Sequence, residues 1–274
     1  MKTRIVLTLL VAWLAGCGGD SDGNAVVASF YPLAFAAEQI GGEALAVRNL
    51  TPPGVEPHDL ELSGQDVRAI ADAQIVFYLG HGFQPALEDA IDSTSANGID
   101  LLGAVRTRAD DPHVWLDPLR YAALALKIGD ELDRKPEAER LAARLRELDG
   151  EFRRGLSRCE RHEIVTSHAA FAYLARRYGL KQVAITGLAP EAEPTPRDLE
   201  DVVRRVRDVG ATTVFFEKLV SPRLAETVAR EVGAGTAVLD PLEGLTEEEV
   251  AAGKDYFAVM RANLVALRKA LACR

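Results

Sequence analysis

The chain has 274 residues, 48% hydrophobic and 27% charged, with a formal net charge of −9. That balance is globular and supports one large or two small domains with a sizeable core, which excludes global disorder. The acidic surplus excludes nucleic acid as a partner, because phosphate contacts need a basic surface, and is compatible with attracting cations.

At the start of the chain, Lys2 and Arg4 precede an apolar run over 5–15. This run is too short to cross a bilayer as a helix. The small residues Ala15 and Gly16 then lead into Cys17, so 1–16 reads as a secretory signal peptide. The Leu14-Ala15-Gly16-Cys17 string also resembles a bacterial lipobox, in which the cysteine is lipidated and becomes the mature N-terminus. An ordinary cleaved signal with an incidental cysteine is the alternative. Residues 17–24, rich in Gly, Ser and Asp, form a flexible tether. Without 1–16 the count is 30 basic against 41 acidic residues, a net charge of −11. Export to an oxidising compartment allows the two remaining cysteines, Cys159 and Cys273, to pair. In the chain-entropy view a loop of that length is worth on the order of 4–5 kcal/mol. Two free thiols are the other possibility.

Short β-rich runs then alternate with amphipathic helices, the pattern of α/β architecture with parallel sheets. The first half offers strands at 25–30, 45–50, 75–79 and 98–102, and helices at 32–40, 64–71 and 84–92. Ser63 is the N-cap of the second of these helices. Two helical stretches without a strand follow. Asp117-Pro118, an N-cap followed by an N1 proline, starts one running to about 133. Pro136 starts another running to about 158, with Leu141, Leu145, Leu148, Phe152 and Leu156 on one face. The second half offers strands at 163–166, 182–186, 212–217 and 236–239, and helices at 168–178, 196–209, 222–232 and 255–272. The expected domains are an N-terminal α/β lobe at 25–135, a stiff linker helix at 136–158 and a C-terminal α/β lobe at 159–274. No strong internal sequence repeat is visible.

Five histidines are present, so their settings are informative. His58 sits in Glu56-Pro57-His58-Asp59, after a strand. His113 sits in Asp111-Pro112-His113-Val114-Trp115-Leu116-Asp117-Pro118. His168 sits in Thr166-Ser167-His168-Ala169, at a strand-to-helix turn, and Asp240 directly follows the last strand. In open α/β sheets the carboxyl ends of strands face the ligand crevice, so a site between two lobes draws two donors from each. Three imidazoles and a carboxylate suit zinc, a borderline ion that favours four-coordinate sites. Manganese prefers more oxygen ligands, whereas copper and nickel also bind nitrogen-rich sites well. Ser167 is the expected N-cap at His168, where the helix dipole lowers the imidazole pKa and favours the neutral form. Histidine protonation then weakens binding below about pH 6. His81 is a candidate accessory ligand, Glu217 a candidate acceptor for an imidazole N–H, and Trp115 a packing residue. His162, in a charged run, reads as exposed.

The chain resembles the zinc/manganese-type solute-binding lipoproteins of metal ABC importers, a TroA-like two-lobed family. The likeness rests on Glu56-Pro57-His58-Asp59, on Pro112-His113-Val114-Trp115-Leu116-Asp117-Pro118, on Thr166-Ser167-His168-Ala169-Ala170-Phe171-Ala172-Tyr173-Leu174 and on Asp240-Pro241-Leu242. It implies metal ligation by His58, His113, His168 and Asp240, and two lobes joined by a rigid helix. It also implies capture of Zn2+, or alternatively Mn2+, for delivery to a permease and ATPase complex. In the family a glutamate at the third position accompanies manganese, so His168 favours zinc. The implied protein is an exported monomer, periplasmic or at the cell surface, anchored through Cys17, and loaded directly or by an exported metallochaperone. One departure is the short stretch 103–111, which lacks the long His- and acid-rich loop of many zinc-binding members. A zinc hydrolase and a surface adhesin are the alternatives. The former needs an open coordination position and a general base, and no His-Glu-x-x-His motif is present.

Overall fold

The computed structural model describes residues 26–108, 110–191 and 194–274. The expected signal peptide at 1–16, Cys17 and the expected tether at 17–24 lie outside the described residues. Two four-stranded sheets are present, and every strand pair is parallel. The first contains β1 (Val26–Ala28), β2 (Val47–Asn49), β3 (Ile75–Tyr78) and β4 (Gly98–Asp100), in the order β2-β1-β3-β4. The second contains β5 (Glu163–Thr166), β6 (Lys181–Ala184), β7 (Thr213–Phe216) and β8 (Gly235–Val238), in the order β6-β5-β7-β8. Both halves therefore share one strand order, a structural repetition without a strong sequence repeat. Parallel strands are covered on both faces, which is why Val26, Val27, Val76, Phe77, Val165 and Val214 are all buried.

The helices have local causes. In the first half α1 is Tyr31–Gly41, α2 is Gly64–Asp72 and α3 is Pro85–Thr94. Ser63 and Asp66 form a reciprocal capping box at α2. Asp117 accepts from the N–H groups of Leu119 and Arg120 to start α4 (Pro118–Glu131). The long α5 (Lys135–Leu156) buries Leu141, Leu145, Leu148, Phe152 and Leu156 along one stripe. In the second half α6 (Ala172–Arg177) is short, and α7 (Pro196–Asp208) has a Thr195–Asp198 capping box. Beyond it lie α8 (Arg223–Val232), α9 (Glu247–Ala251) and α10 (Tyr256–Ala270). One continuous core runs from Val26 and Phe77 in the first half, through Trp115, Leu145 and Phe152, to Phe171, Leu239 and Tyr256 in the second. Smaller apolar clusters fill the outer face of each sheet.

Three differences from the sequence expectations have physical reasons. The first strand stops at Ala28 because Phe30 already caps α1 in extended conformation. The single helix expected at 168–178 is a 3-10 turn (Ala169–Phe171) followed by α6. Helix α9 lacks an apolar period and was not expected, although Thr246 and Glu249 carry the capping-box signature.

Cys159, just after α5, is joined to Cys273, just after α10, by a disulfide 114 residues apart in sequence. Beside it, the N–H groups of Glu160 and Arg161 donate to the Leu271 carbonyl. Replacing both cysteines by serine should lower unfolding stability by on the order of 4 kcal/mol, because the unfolded chain regains the entropy of a long open loop. Chemical denaturation with and without reductant measures this, and equal midpoints would show that the crosslink does not stabilise the fold.

Candidate metal centre

Four side chains from four separate segments converge between the sheets. His58 stands on a 3-10 turn (Pro57–Asp59) beyond β2, where the Glu56 carboxylate accepts its backbone N–H at 3.2 Å. His113 precedes the 3-10 turn Val114–Leu116. His168 follows β5 in extended conformation. Glu243 lies in the irregular loop after β8. His168, after β5, and Glu217, after β7, flank the point where the order of the second sheet reverses, the place where such sheets bind ligands.

The three imidazoles share one carboxylate oxygen. Glu243 Oε1 lies 3.1 Å from His113 Nε2, 3.2 Å from His168 Nε2 and 3.6 Å from His58 Nε2. The Nε2 atoms of His113 and His168 are 3.4 Å apart. One donor atom from each of the four residues falls within 4.8 Å of every other. Donors about 2.0–2.1 Å from a tetrahedral zinc are separated by about 3.3–3.4 Å, so these spacings fit that ion. Buried His58 Nε2 and Glu243 Oε2 have no hydrogen-bond partner among the described residues. Such orphaned groups are costly unless a ligand satisfies them.

Further carboxylates hold the rings. Asp111 Oδ1 meets His113 Nδ1 at 2.8 Å and accepts the His113 backbone N–H at 3.1 Å. Glu217 Oε1 meets His168 Nδ1 at 2.6 Å and also takes the Ser167 hydroxyl. Each contact assigns the proton to Nδ1 and leaves Nε2 as the donor toward the centre. Phe83 packs edge-on against His58, with ring centroids 4.7 Å apart. Trp115 packs against His113 and Phe30.

Charge is concentrated here on buried side chains. Burial opposes a positive His168, yet Glu243 and Glu217 outweigh it and raise its pKa to about 10. His113 shifts upward as well, with Asp111 and Glu243 overcoming its burial. Glu243 is held well below the usual carboxylate range: burial works against its charge, but the charge of His168 and the contacts of His113 and His168 prevail. Burial and the charge of Glu243 push Glu56 up to about 9.

The structure brings together His58, His113 and His168, but not Asp240. Asp240 Oδ2 instead pairs with Lys218 Nζ at 2.8 Å, and its Oδ1 accepts the Leu242 N–H at 2.8 Å. The fourth position belongs to Glu243, three residues further on. Leu242 adopts a left-handed backbone, with φ of 56°, and this turn sends Asp240 and Glu243 to different places. His81 is exposed on a turn and stays outside the cluster. The expected Ser167 cap is absent: its hydroxyl serves Glu217, and no α-helix begins at His168. The raised His168 pKa likewise replaces the dipole-lowered one, because two carboxylates from distant loops face the ring. The sequence reading missed both Glu243 and Asp111. A carboxylate two residues before a histidine was the available signal for Asp111.

Residues 26–270 match the ZnuA family, described as the periplasmic component A of a zinc-uptake complex. The zinc-binding lipoprotein AdcA of Streptococcus pneumoniae is 37% identical over 303 residues, covering 98% of this chain and 60% of AdcA. The chain thus spans about 60% of the length of that relative. The high-affinity zinc uptake system protein ZnuA of Bacillus subtilis is 33% identical, covering 94% of this chain and 93% of its own length. Among solved structures, the Zn(II)-bound ZnuA-like domain of S. pneumoniae AdcA matches with a TM-score of 0.78 at 37% identity, covering 90% of this chain and 98% of that one. The laminin-binding protein of Streptococcus agalactiae, described as bifunctional with adhesin and metal-transporting activity, matches with a TM-score of 0.83 at 30% identity, covering 90% and 99%. Members of this family are solute-binding transport components rather than enzymes, which removes the hydrolase alternative. A two-sheet α/β chain with three imidazoles and a glutamate between its halves, matched over nearly all its described length, belongs to the ZnuA family of zinc-binding proteins.

Proposed function

We propose that this chain is the extracytoplasmic zinc-binding component of an ABC importer. It captures Zn2+ through His58, His113, His168 and Glu243 and delivers it to a membrane permease and its ATPase. The observation that carries this reading is the cluster of four donors, three on buried residues and one on half-buried His58, with the imidazole nitrogens 3.1, 3.2 and 3.6 Å from Glu243. Nitrogen dominates the set, which favours zinc over manganese. In the bound state the carboxylate of Glu243 offsets part of the dication's charge, while Asp111 and Glu217 keep two rings aimed at it. The core shared between the halves keeps them close, so capture and release need small motions around the cleft rather than wide opening. A lipid on Cys17 would hold the carrier beside the permease.

The mature protein should bind one zinc per chain after chelation and reloading, as counted by elemental analysis. Alanine at His58, His113, His168 or Glu243 should weaken binding by more than about 100-fold, exceeding the 10–100-fold typical of residues behind the ligands. Undiminished zinc binding by the triple histidine variant would rule out this site.

Protonation sets a second expectation. The metal-free cluster holds a proton on His168, whose pKa of about 10 keeps it charged at neutral pH. Zinc needs the neutral imidazole, so loading must expel that proton. Affinity should therefore rise with pH by about tenfold per unit between pH 6 and 9, and about one proton should leave per zinc bound at pH 7. Calorimetry in buffers of different ionisation enthalpy reads this release. A heat that does not depend on the buffer would mean that the free site is already neutral.

A further inference from the structure

Glu243 reaches the cluster from a loop with no regular structure, so something else must fix its direction. The loop after β8 is fastened at several points. Asn263 on α10 accepts the Asp240 N–H at 2.9 Å and donates to the Asp240 carbonyl at 2.7 Å. The Trp115 indole N–H donates to the Pro241 carbonyl at 2.7 Å, and the Gly54 N–H to the Leu245 carbonyl at 2.9 Å. Between these anchors Leu242 sits in the left-handed region, which branched side chains rarely occupy. The side chain of Asp240 closes over that turn by accepting the Leu242 N–H. Its second oxygen takes the Lys218 ammonium, which also contacts Glu249 of α9. Lys218 directly follows Glu217, the carboxylate behind His168. One ion pair, buried at Asp240 and partly exposed at Lys218, therefore ties the strand end that steadies His168 to the loop that supplies Glu243.

We propose that Asp240 is a positioning residue: paired with Lys218, it holds Leu242 in its left-handed turn, aims Glu243 at the three imidazoles and couples the loops that carry Glu217 and Glu243. This inference rests on the metal centre proposed above. Its charge balance suits a cation carrier. An unpaired ammonium beside the loop that carries Glu243 would oppose a dication there, and Asp240 and Glu249 neutralise it. The two oxygens of Asp240 have separate tasks, one toward the backbone and one toward Lys218. Asparagine keeps the first and loses the second, whereas alanine loses both.

The test uses the full mature chain, with zinc affinity from chelator competition and Co2+ as a spectroscopic probe. Four-coordinate Co2+ absorbs visible light far more strongly than five- or six-coordinate Co2+ holding water. Asp240→Ala should still bind one ion, with affinity reduced by about 10–100-fold. Its Co2+ spectrum should lose intensity, because Glu243 leaves the coordination sphere and water enters. Asp240→Asn, which keeps the turn acceptor and loses the ion pair, should fall between Asp240→Ala and the parent in both readouts, and Lys218→Met should fall in the same range. Lys218→Met should weaken binding and slow neither folding nor assembly of the three imidazoles, and it decides the matter if Asp240→Ala fails to fold. Glu243→Gln is the reference for the altered spectrum. A parental spectrum and affinity in both Asp240→Ala and Lys218→Met would overturn the proposal while leaving the site intact, provided Glu243→Gln is altered. Loss of all metal binding in Asp240→Ala and Asp240→Asn alike would also overturn it, since a ligand role would then explain Asp240 better. If the parent chain bound no zinc at all, the site itself would be wrong.

Discussion

A single buried carboxylate oxygen organises this molecule's interior. Glu243 Oε1 lies within 3.6 Å of the Nε2 atoms of all three histidines. An isolated carboxylate at that depth would be prohibitively costly. It is tolerable because the imidazoles gather around it and the charge of His168 offsets its own. On the proposed function a metal ion would take over that role with a stronger field and without protons, and pH would set the exchange between a protonated and a metal-bound state.

That arrangement demands accurate placement of segments far apart in sequence, and the shared core provides it. Trp115 lies under the His113 ring and also donates across to the Pro241 carbonyl, while the Tyr256 hydroxyl donates to the Trp115 carbonyl. The Tyr173 hydroxyl, from α6, donates to the carbonyl of Asp111. Arg177 of α6 contacts Asp117, the residue that caps α4. Each tie joins the neighbourhood of a first-half donor to one in the second half. The two sheets are thereby tied to one another around the cluster.

Export chemistry and stability meet at the other end of α5. The disulfide between Cys159 and Cys273 fastens the end of this long helix to the end of α10, the helix that bears Asn263. Asn263 in turn grips Asp240. A crosslink remote from the metal centre thus steadies the element against which the Glu243 loop is held.

The sequence by itself determined the α/β class, because apolar β-branched runs, capping boxes and N1 prolines are local signals. It also marked His58, His113 and His168, each beside a strand end or in a distinctive turn. What it did not determine was which acidic residue completes the set. Asp240 and Glu243 stand three residues apart on a loop with no periodicity, so no rule of spacing says which one faces inward. The left-handed turn at Leu242 and the pull of Lys218 on Asp240 make that choice. The charge state of His168 was equally out of reach. Local reading sees a turn after a strand, while the pKa is set by Glu217 and Glu243, 49 and 75 residues further along the chain. Backbone preferences are written in neighbouring residues, whereas the direction of a loop carboxylate and the field at a buried ring depend on what folding brings beside them.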